Sequence, residues 1–241
     1  MTVNRKVIDL SHWDTVTSWS DIKAAGIIGV IHKATEYTTY VDPDYHSRKT
    51  AAQAAGLLWG AYHFAHTGNV VEQLANFLNT TGIDKTMLYA LDWEDSPSGT
   101  MTAAEAQQFI TLLEGQLGAL NLAVVYSGNT LKDRLGSAVN PFFGARRLWL
   151  ADWNSTPVCQ SSWASPWLWQ YGDGVTGPAP LNCPGVADAC DTSSWAGTDD
   201  ALIAQWAGTP PPLPPPPPAT PVVNITTTGG VLVIVNGVTL S

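Results

Sequence analysis

Leu88-Tyr89-Ala90-Leu91-Asp92-Trp93-Glu94-Asp95 is an apolar run that ends in clustered carboxylates. It reads as a β-strand whose acids mark the end of the strand. A strand alternates its faces, so Asp92 and Glu94, two apart, point the same way. Carboxylates that close repel one another as anions, which raises the pKa of at least one and makes it a candidate general acid. Such a pair suits acid-assisted cleavage of a glycosidic bond. It is also ordinary chemistry for a solvated loop, and the rest of the chain has to decide.

Outward from this strand, residues 1–208 read as repeated strand-then-helix units. Further apolar strand candidates are 7–10, 29–32, 57–64, 122–126, 148–153 and 167–171, with 87–93 the strand quoted above. Between most of them lie amphipathic stretches with helix signals. Asp42-Pro43 opens one that runs to Ala55 and is stopped by Gly56. Thr102-Ala103-Ala104-Glu105 is a capping-box pattern that starts a helix continuing to about Leu117. This alternation implies an α/β fold with a parallel sheet and covering helices. About eight strands in roughly 200 residues favours a closed, TIM-like barrel over a doubly wound sheet. The later connections are short and carry little helical pattern, so the barrel is expected to be irregular.

Residues 209–221, TPPPLPPPPPATP, break the pattern. Proline removes backbone donors and fixes φ, which predicts an extended polyproline II linker of about 3 Å per residue. The other reading of this tract is a ligand for a proline-recognising domain. Residues 222–241 form a short β-prone tail with an Asn236-Gly237 hairpin signal. Twenty residues cannot bury an independent core. The tail is expected to self-associate, to attach to a larger assembly, or to be an anchoring remnant.

The 241 residues carry a net charge of -9 and no basic run, which argues against nucleic acid as a partner. The same balance opposes long-range attraction to anionic surfaces. Only 13% of residues are charged, yet there are 11 Trp, and flat aromatic faces stack on sugar rings as well as filling cores. Cys159, Cys183 and Cys190 show no CxxC spacing and no paired His, so zinc is not expected. Cys183 and Cys190 flank Pro184-Gly185 and are open to bridging in an oxidising compartment or to staying free in the cytosol. The start of the chain, Met1 to Lys6, runs into a strand-like segment without an apolar h-region, so no signal peptide is expected. No apolar run reaches membrane-spanning length.

In an α/β barrel the C-terminal ends of the strands converge on one mouth, where active sites are built. Reading the strand ends in order gives Asp9, Ser11 and His12, then Lys33 and Glu36, then Tyr62, His63 and Phe64. Asp92 and Glu94 follow, then Tyr126, Asp152 and Trp153, and Gln170 and Tyr171, with Asp191 where an eighth strand would end. Acidic and aromatic side chains therefore recur at one expected rim.

Val7-Ile8-Asp9-Leu10-Ser11, Lys33-Ala34-Thr35-Glu36, Gly60-Ala61-Tyr62-His63-Phe64, Leu91-Asp92-Trp93-Glu94 and Trp169-Gln170-Tyr171 stand in the order and spacing of the glycoside hydrolase family 25 lysozymes. The resemblance covers about residues 5–207. It implies an irregular (β/α)5(β)3 barrel that cleaves the β-1,4 bond between N-acetylmuramic acid and N-acetylglucosamine in peptidoglycan, without metal or organic cofactor. By position, Glu94 resembles the family's general acid and Asp92 the partner that assists or orients the 2-acetamido group. Asp9 resembles the carboxylate at the groove floor, and Asp191 fits the fourth acid. Tyr62, Phe64 and Tyr126 look like groove-lining aromatics, and Trp153, Glu36 and Gln170 join them as substrate-binding candidates. The family often has Gly after Lys-Ala-Thr-Glu, where this chain has Tyr37, so the shape of that loop is in question.

Physically, Glu94 should stay protonated near neutrality, held there by Asp92 and partial burial. Carboxylates about 5 Å apart suggest retention and wider pairs inversion; neither rule applies where the N-acetyl carbonyl is the nucleophile, the route favoured here. His12, His32, His63 and His66 beside acids raise a metal hydrolase as a rival, but the first strand lacks a His-x-His pair. Lys33 is expected to pair with a rim acid. Trp149, Trp167 and Trp169 read as core, whereas Trp93, Trp153 and Trp195 lie beside strand-end acids and are stacking candidates. Two non-catalytic roles stand beside the lysozyme: a wall-glycan-binding module and a structural part of a virion. The expected setting is an endolysin of a bacteriophage, made in the host cytoplasm and acting on the wall after release or carried on the particle, with a bacterial enzyme as runner-up.

Overall fold

A computed structural model describes residues 3–118, 123–187 and 189–208, and the backbone of 222–226 and 232–236. Five strand-and-helix units come first. They are β1 (Arg5–Leu10) with α1 (Trp19–Ala24); β2 (Gly29–Glu36) with the two-residue β3 (Tyr40–Val41) and α2 (Tyr45–Ala54); β4 (Leu58–Phe64) with α3 (Val70–Thr81); β5 (Leu88–Asp92) with α4 (Ala103–Leu117); and β6 (Ala123–Ser127) with α5 (Asn129–Leu135) and the single turn α6 (Pro141–Gly144). Three strands then follow without intervening helices: β7 (Arg147–Ala151), β8 (Leu168–Gly172) and β9 (Asp191–Ser194). Helix α7 (Asp199–Gln205) ends the unit. The expected (β/α)5(β)3 order is what the chain adopts.

Strands β1, β2 and β4 to β8 pair in parallel around the sheet, and β1 pairs with β2, which closes it. The eighth barrel strand, β9, runs the other way, antiparallel to both β8 and β1. Asp191 was expected at the end of an eighth strand; it is the first residue of β9. Because β9 is reversed, its start lies beside Asp9, near the end of β1.

Side-chain alternation sorts the core into two clusters. Val7, Leu88, Ala90, Val124 and Tyr126 face the barrel interior, while Ile8, Tyr89, Leu91 and Val125 pack in a separate cluster with the residues of the covering helices. Leu202 and Trp206, on and just after α7, join the interior cluster, and the Trp206 indole N–H donates to the carbonyl of Trp59 at 2.8 Å. They sit where β2 and β4 begin, so this helix closes the end of the barrel opposite the mouth.

Local signals read from the sequence reappear in the helices. Thr102 and Glu105 form a reciprocal capping box at the start of α4. Gly56, past the end of α2, has φ +76°, a conformation glycine adopts without strain. Tyr37 stands at φ +47°, in the left-handed region where glycine would be at ease. The loop is held there by the Tyr37 amide donating to Phe64 O at 3.2 Å and by Asn69 Nδ2 donating to the Tyr37 hydroxyl at 2.6 Å. The turn that Gly would have served is thus made by a tyrosine tied at both ends.

By its contacts the chain divides into Met1–Thr209 and Pro210–Ser241. In the second unit, β10 (Val222–Thr226) and β11 (Leu232–Asn236) pair antiparallel, with Val222 opposite Asn236 and Thr226 opposite Leu232. The residues joining them are 227–231, so Asn236-Gly237 is not the turn of this hairpin; Asn236 is the last residue of β11. The polyproline conformation expected for 209–221 falls outside the described residues.

Candidate active site

The mouth of the barrel holds a pocket of 190 Å³ lined by Asp9, Asp92, Glu94 and Asp191 together with Tyr62, Phe64 and Tyr126. Asp92 is the last residue of β5 and Glu94 lies two residues beyond, so both point to the same side. Trp93, between them, points the other way, buried against Phe143 with its indole N–H on Met101 O at 2.7 Å. It is a core residue and not a stacking surface. Trp195 is also buried, packed edge-on to Trp167. Of the three tryptophans expected to stack on sugar, only Trp153 is open, at 42% exposure.

Burial dominates the electrostatics. It pushes Glu94 up to about 7, with Asp191 and Asp95 adding repulsion. Asp92 is not what holds that proton; instead Glu94 is, after burial, what raises Asp92 well above the usual carboxylate range, against the pull of the Lys33 ammonium. Asp9 is likewise raised well above that range, by burial and then by Asp191. Burial brings Asp191 up to about 6, while its hydrogen bond with Asp9 pulls it down. Both acids of that pair are thus raised by burial. Asp92 Oδ1 and Asp9 Oδ2 are buried without a hydrogen-bond partner among the described residues, which leaves each an acceptor for a ligand or a seat for a proton.

Gln170 lies beneath this pocket, fully buried, rather than on its surface. Its Oε1 accepts from the Tyr126 hydroxyl at 2.9 Å and from the Trp153 indole N–H at 3.2 Å. Its Nε2 donates to Asp9 Oδ1 at 2.9 Å and to Asp191 Oδ2 at 3.4 Å. Two donors on the oxygen fix which end of the amide faces the acids. Glu36 stands outside the pocket lining and bonds Lys33 Nζ at 2.5 Å through Oε2 and His66 Nε2 at 3.0 Å through Oε1. Lys33, so paired, lies over the Phe64 ring at 5.0 Å.

The histidines are engaged in structural networks. His12 pairs with Asp42 at 2.9 Å, His63 bonds Thr35 and Gln73, and His32 stacks on Trp59. Among the described residues no three His, Cys, Asp or Glu side chains are arranged to hold a metal ion. Cys159, Cys183 and Cys190 are free thiols.

Two lining residues escaped the sequence reading. Trp13 stands at the rim, 83% exposed, against the His12 ring at 4.4 Å. Its place two residues past Ser11, at the end of the first strand, was the available signal. Trp149, read as core, is buried as expected and also reaches the pocket, its indole N–H on Ser193 Oγ at 2.9 Å.

Four carboxyl groups at the C-terminal mouth of a barrel, all raised by burial, with Glu94 at about 7, and set among aromatic walls, equip a glycoside hydrolase. Residues 8–178 match the family model of Glycosyl hydrolases family 25. Over 210 residues the chain is 29% identical to Lysozyme M1 of Streptomyces globisporus, spanning 82% of this chain and 69% of that protein. It is 28% identical over 186 residues to an autolytic lysozyme of Clostridium acetobutylicum, spanning 73% of this chain and 55% of that one. The crystal structure of the bacterial lysozyme from Streptomyces coelicolor superposes with a TM-score of 0.73 at 28% identity, covering 86% of this chain and 99% of that chain. The chain belongs to glycosyl hydrolases family 25.

Proposed function

We propose that this glycoside hydrolase is a lysozyme of the muramidase type whose general acid is Glu94. It hydrolyses the β-1,4 bond between N-acetylmuramic acid and N-acetylglucosamine in peptidoglycan and so lyses bacterial cell walls. One observation carries the assignment of the acid: Glu94 lines both the pocket of the four acids and a second cavity beside it. A general acid must reach the oxygen between two sugars, and Glu94 is the residue common to both linings. Its pKa of about 7 keeps a transferable proton at neutral pH.

The muramyl ring occupies the pocket of the four acids. The unpartnered Oδ1 of Asp92 accepts the N–H of the 2-acetamido group and turns its carbonyl oxygen toward the anomeric carbon. That oxygen attacks as the glycosidic C–O bond breaks, and the Glu94 proton passes to the leaving sugar. Water then adds at the anomeric carbon, the Glu94 carboxylate takes its proton, and the acetamide is restored. Asp9 and Asp191, sharing a proton at the floor, stabilise the positive charge that develops on the sugar.

Mass spectrometry of products from purified peptidoglycan tests the reading. New reducing-end muramic acid is the expected result. Reducing-end glucosamine or freed peptides would overturn it, and so would an unchanged turbidity of wall suspensions, the outcome for a binding-only module.

The setting is part of the same proposal: an endolysin of a bacteriophage, made in the host cytoplasm and acting on the wall after release or on a virion. The location of the substrate outside the cytoplasm supports it, as does a proline tract ending in the paired strands β10 and β11, suited to attachment or self-association. Sizing with and without residues 209–241 tests the tail. An unchanged size and particle association would remove it from that role.

A further inference from the structure

The second cavity measures 520 Å³, well within the range of ordinary ligand sites, against 190 Å³ for the pocket of the four acids. Chain closure brings its walls together from the segments after β5, β6, β7 and β8, with Asn129, Lys132, Asp152, Trp153, Asn154 and Thr176 among them. Most of these side chains are polar, as a sugar-binding wall requires. Trp153 adds an indole that is 42% exposed and fixed in place by its N–H bond to Gln170. A rigid, half-open indole beside hydrogen-bonding groups is a stacking platform for a sugar ring.

The charge in this cavity is distinctive. Lys33 and Lys132 are the cations among the residues lining the two cavities, and Lys33 is bound tightly to Glu36. Lys132 stands 3.7 Å from Asp152 Oδ2, beyond hydrogen-bonding range. Asp152 is already satisfied by the amides of Asn154 at 3.3 Å and Val158 at 2.9 Å and by Asn154 Nδ2 at 2.5 Å. The Lys132 ammonium therefore keeps donors for a ligand. On the other side of Glu94 stand three acids, Asp9, Asp92 and Asp191, and the lysine there is held by Glu36; on this side Lys132, beside Asp95 and Asp152, is the cation that can take an anionic substituent.

We propose that this cavity is the leaving-side binding site, where Trp153 stacks on the departing N-acetylglucosamine and Lys132 binds a carboxylate of the peptide arm on the adjoining muramyl unit. The proposal rests on the muramidase reading above. It makes Lys132 a specificity residue that distinguishes peptide-bearing glycan from bare glycan.

The test compares the wild type, Lys132→Met and Lys132→Arg on uncrosslinked glycan strands carrying stem peptides and on the same strands after an amidase has removed them. For Lys132→Met, kcat/KM on peptide-bearing strands is expected to fall about tenfold, mainly through KM, as loss of one ionic contact predicts. On stripped strands it should stay within about twofold, and Lys132→Arg should restore most of the loss. An equal loss on both substrates, or none on the peptide-bearing one, would overturn the proposal. A loss confined to stripped strands would also overturn it, because those strands expose the lactyl carboxylate instead. Release of reducing-end muramic acid by the wild type from both substrates checks the muramidase reading separately.

Discussion

Asp9 and Asp191 are direct cross-strand partners on β1 and β9, and the amide of Gln170 donates to both. Opposed carboxylates on an antiparallel pair repel, and burial makes the repulsion worse. Burial raises the pKa of both, which favours a proton on the pair, and the two N–H groups of one amide lie on Asp9 Oδ1 and Asp191 Oδ2. Reversal of the last barrel strand makes this possible, since it sets the first residue of β9 beside the end of β1.

Gln170→Leu should therefore disturb more than packing. It leaves the Tyr126 hydroxyl and Trp153 N–H without their acceptor, a cost of about 1–3 kcal/mol in stability. Gln170 also holds the Asp9 pKa down. Its loss should move the acidic limb of the pH–rate profile upward and lower kcat by on the order of tenfold. A variant that is less stable but keeps the wild-type pH profile would reduce Gln170 to a purely structural residue.

Glu94→Gln should lower kcat by at least about a hundredfold, the usual scale for loss of a general acid. Its effect on stability has a definite sign. Folded Glu94 keeps its proton up to about 7, against 4.5 for the free side chain. Between those values the folded protein binds more protons than the unfolded chain, so stability falls as pH rises through that window. Asp9, Asp92 and Asp191 act in the same direction. Asp42 and Asp84, held low by hydrogen bonds, lose their contribution only as pH falls through and below the ordinary carboxylate range. His32 and His63, lowered by burial from 6.5 to about 4, oppose the acids between those values, so Tm should fall with rising pH above 6.5. Glu94→Gln should match the wild type near pH 4 and exceed it at pH 8. Parallel Tm curves for the two proteins would contradict this account.

The parts of this molecule legible from its residues are those written in local chemistry. The capping box at Thr102, the alternation that aligns Asp92 with Glu94, and the strand-and-helix rhythm all appear as read. The same alternation turns Trp93 away from the acids, so its candidacy as a stacking residue failed on a rule already in hand. Strand β9 left no apolar trace because Asp191-Thr192-Ser193-Ser194 is polar throughout. Thr192 and Ser193 are nevertheless buried, and Ser193 is satisfied by the Trp149 indole. Periodicity reports which face a residue takes but not how deep it lies along the barrel, and so Trp149 passed as core alone. The second cavity joins residues from Glu94 to Thr176 only through closure of the sheet, which no local pattern encodes.

Away from the site, Glu114 of α4 holds Arg146, just before β7, through two contacts: Oε2 to Nη2 at 2.8 Å and Oε1 to Nε at 3.3 Å. Both side chains are almost completely buried. The pair ties the fourth helix to the turn that launches β7, the sixth barrel strand. Removing one partner of such a pair leaves a buried charge, at a cost of about 3–5 kcal/mol. Glu114→Ala should show that loss in urea unfolding, with kcat of the folded fraction unchanged. A loss below about 1 kcal/mol would mean that solvent reaches Arg146 once the glutamate is gone.

The closed end of the barrel gives the last test. A Cβ on Gly29, the first residue of β2, would lie 2.4 Å from Cη2 of Trp206 and within 2.9 Å of two more ring carbons. The ring cannot swing aside freely, because it is buried and its N–H is bound to Trp59 O. Gly29→Ala should therefore overpack this end and cost about 1–3 kcal/mol. The acids lie at the other end of the barrel, so kcat per folded molecule should hold. Trp206→Phe shortens the ring that meets the new methyl. The double variant should then be more stable than the sum of the single changes predicts, by about 1 kcal/mol in a mutant cycle. Strict additivity would show that the two positions do not meet, and that the helix after β9 does not plug the barrel.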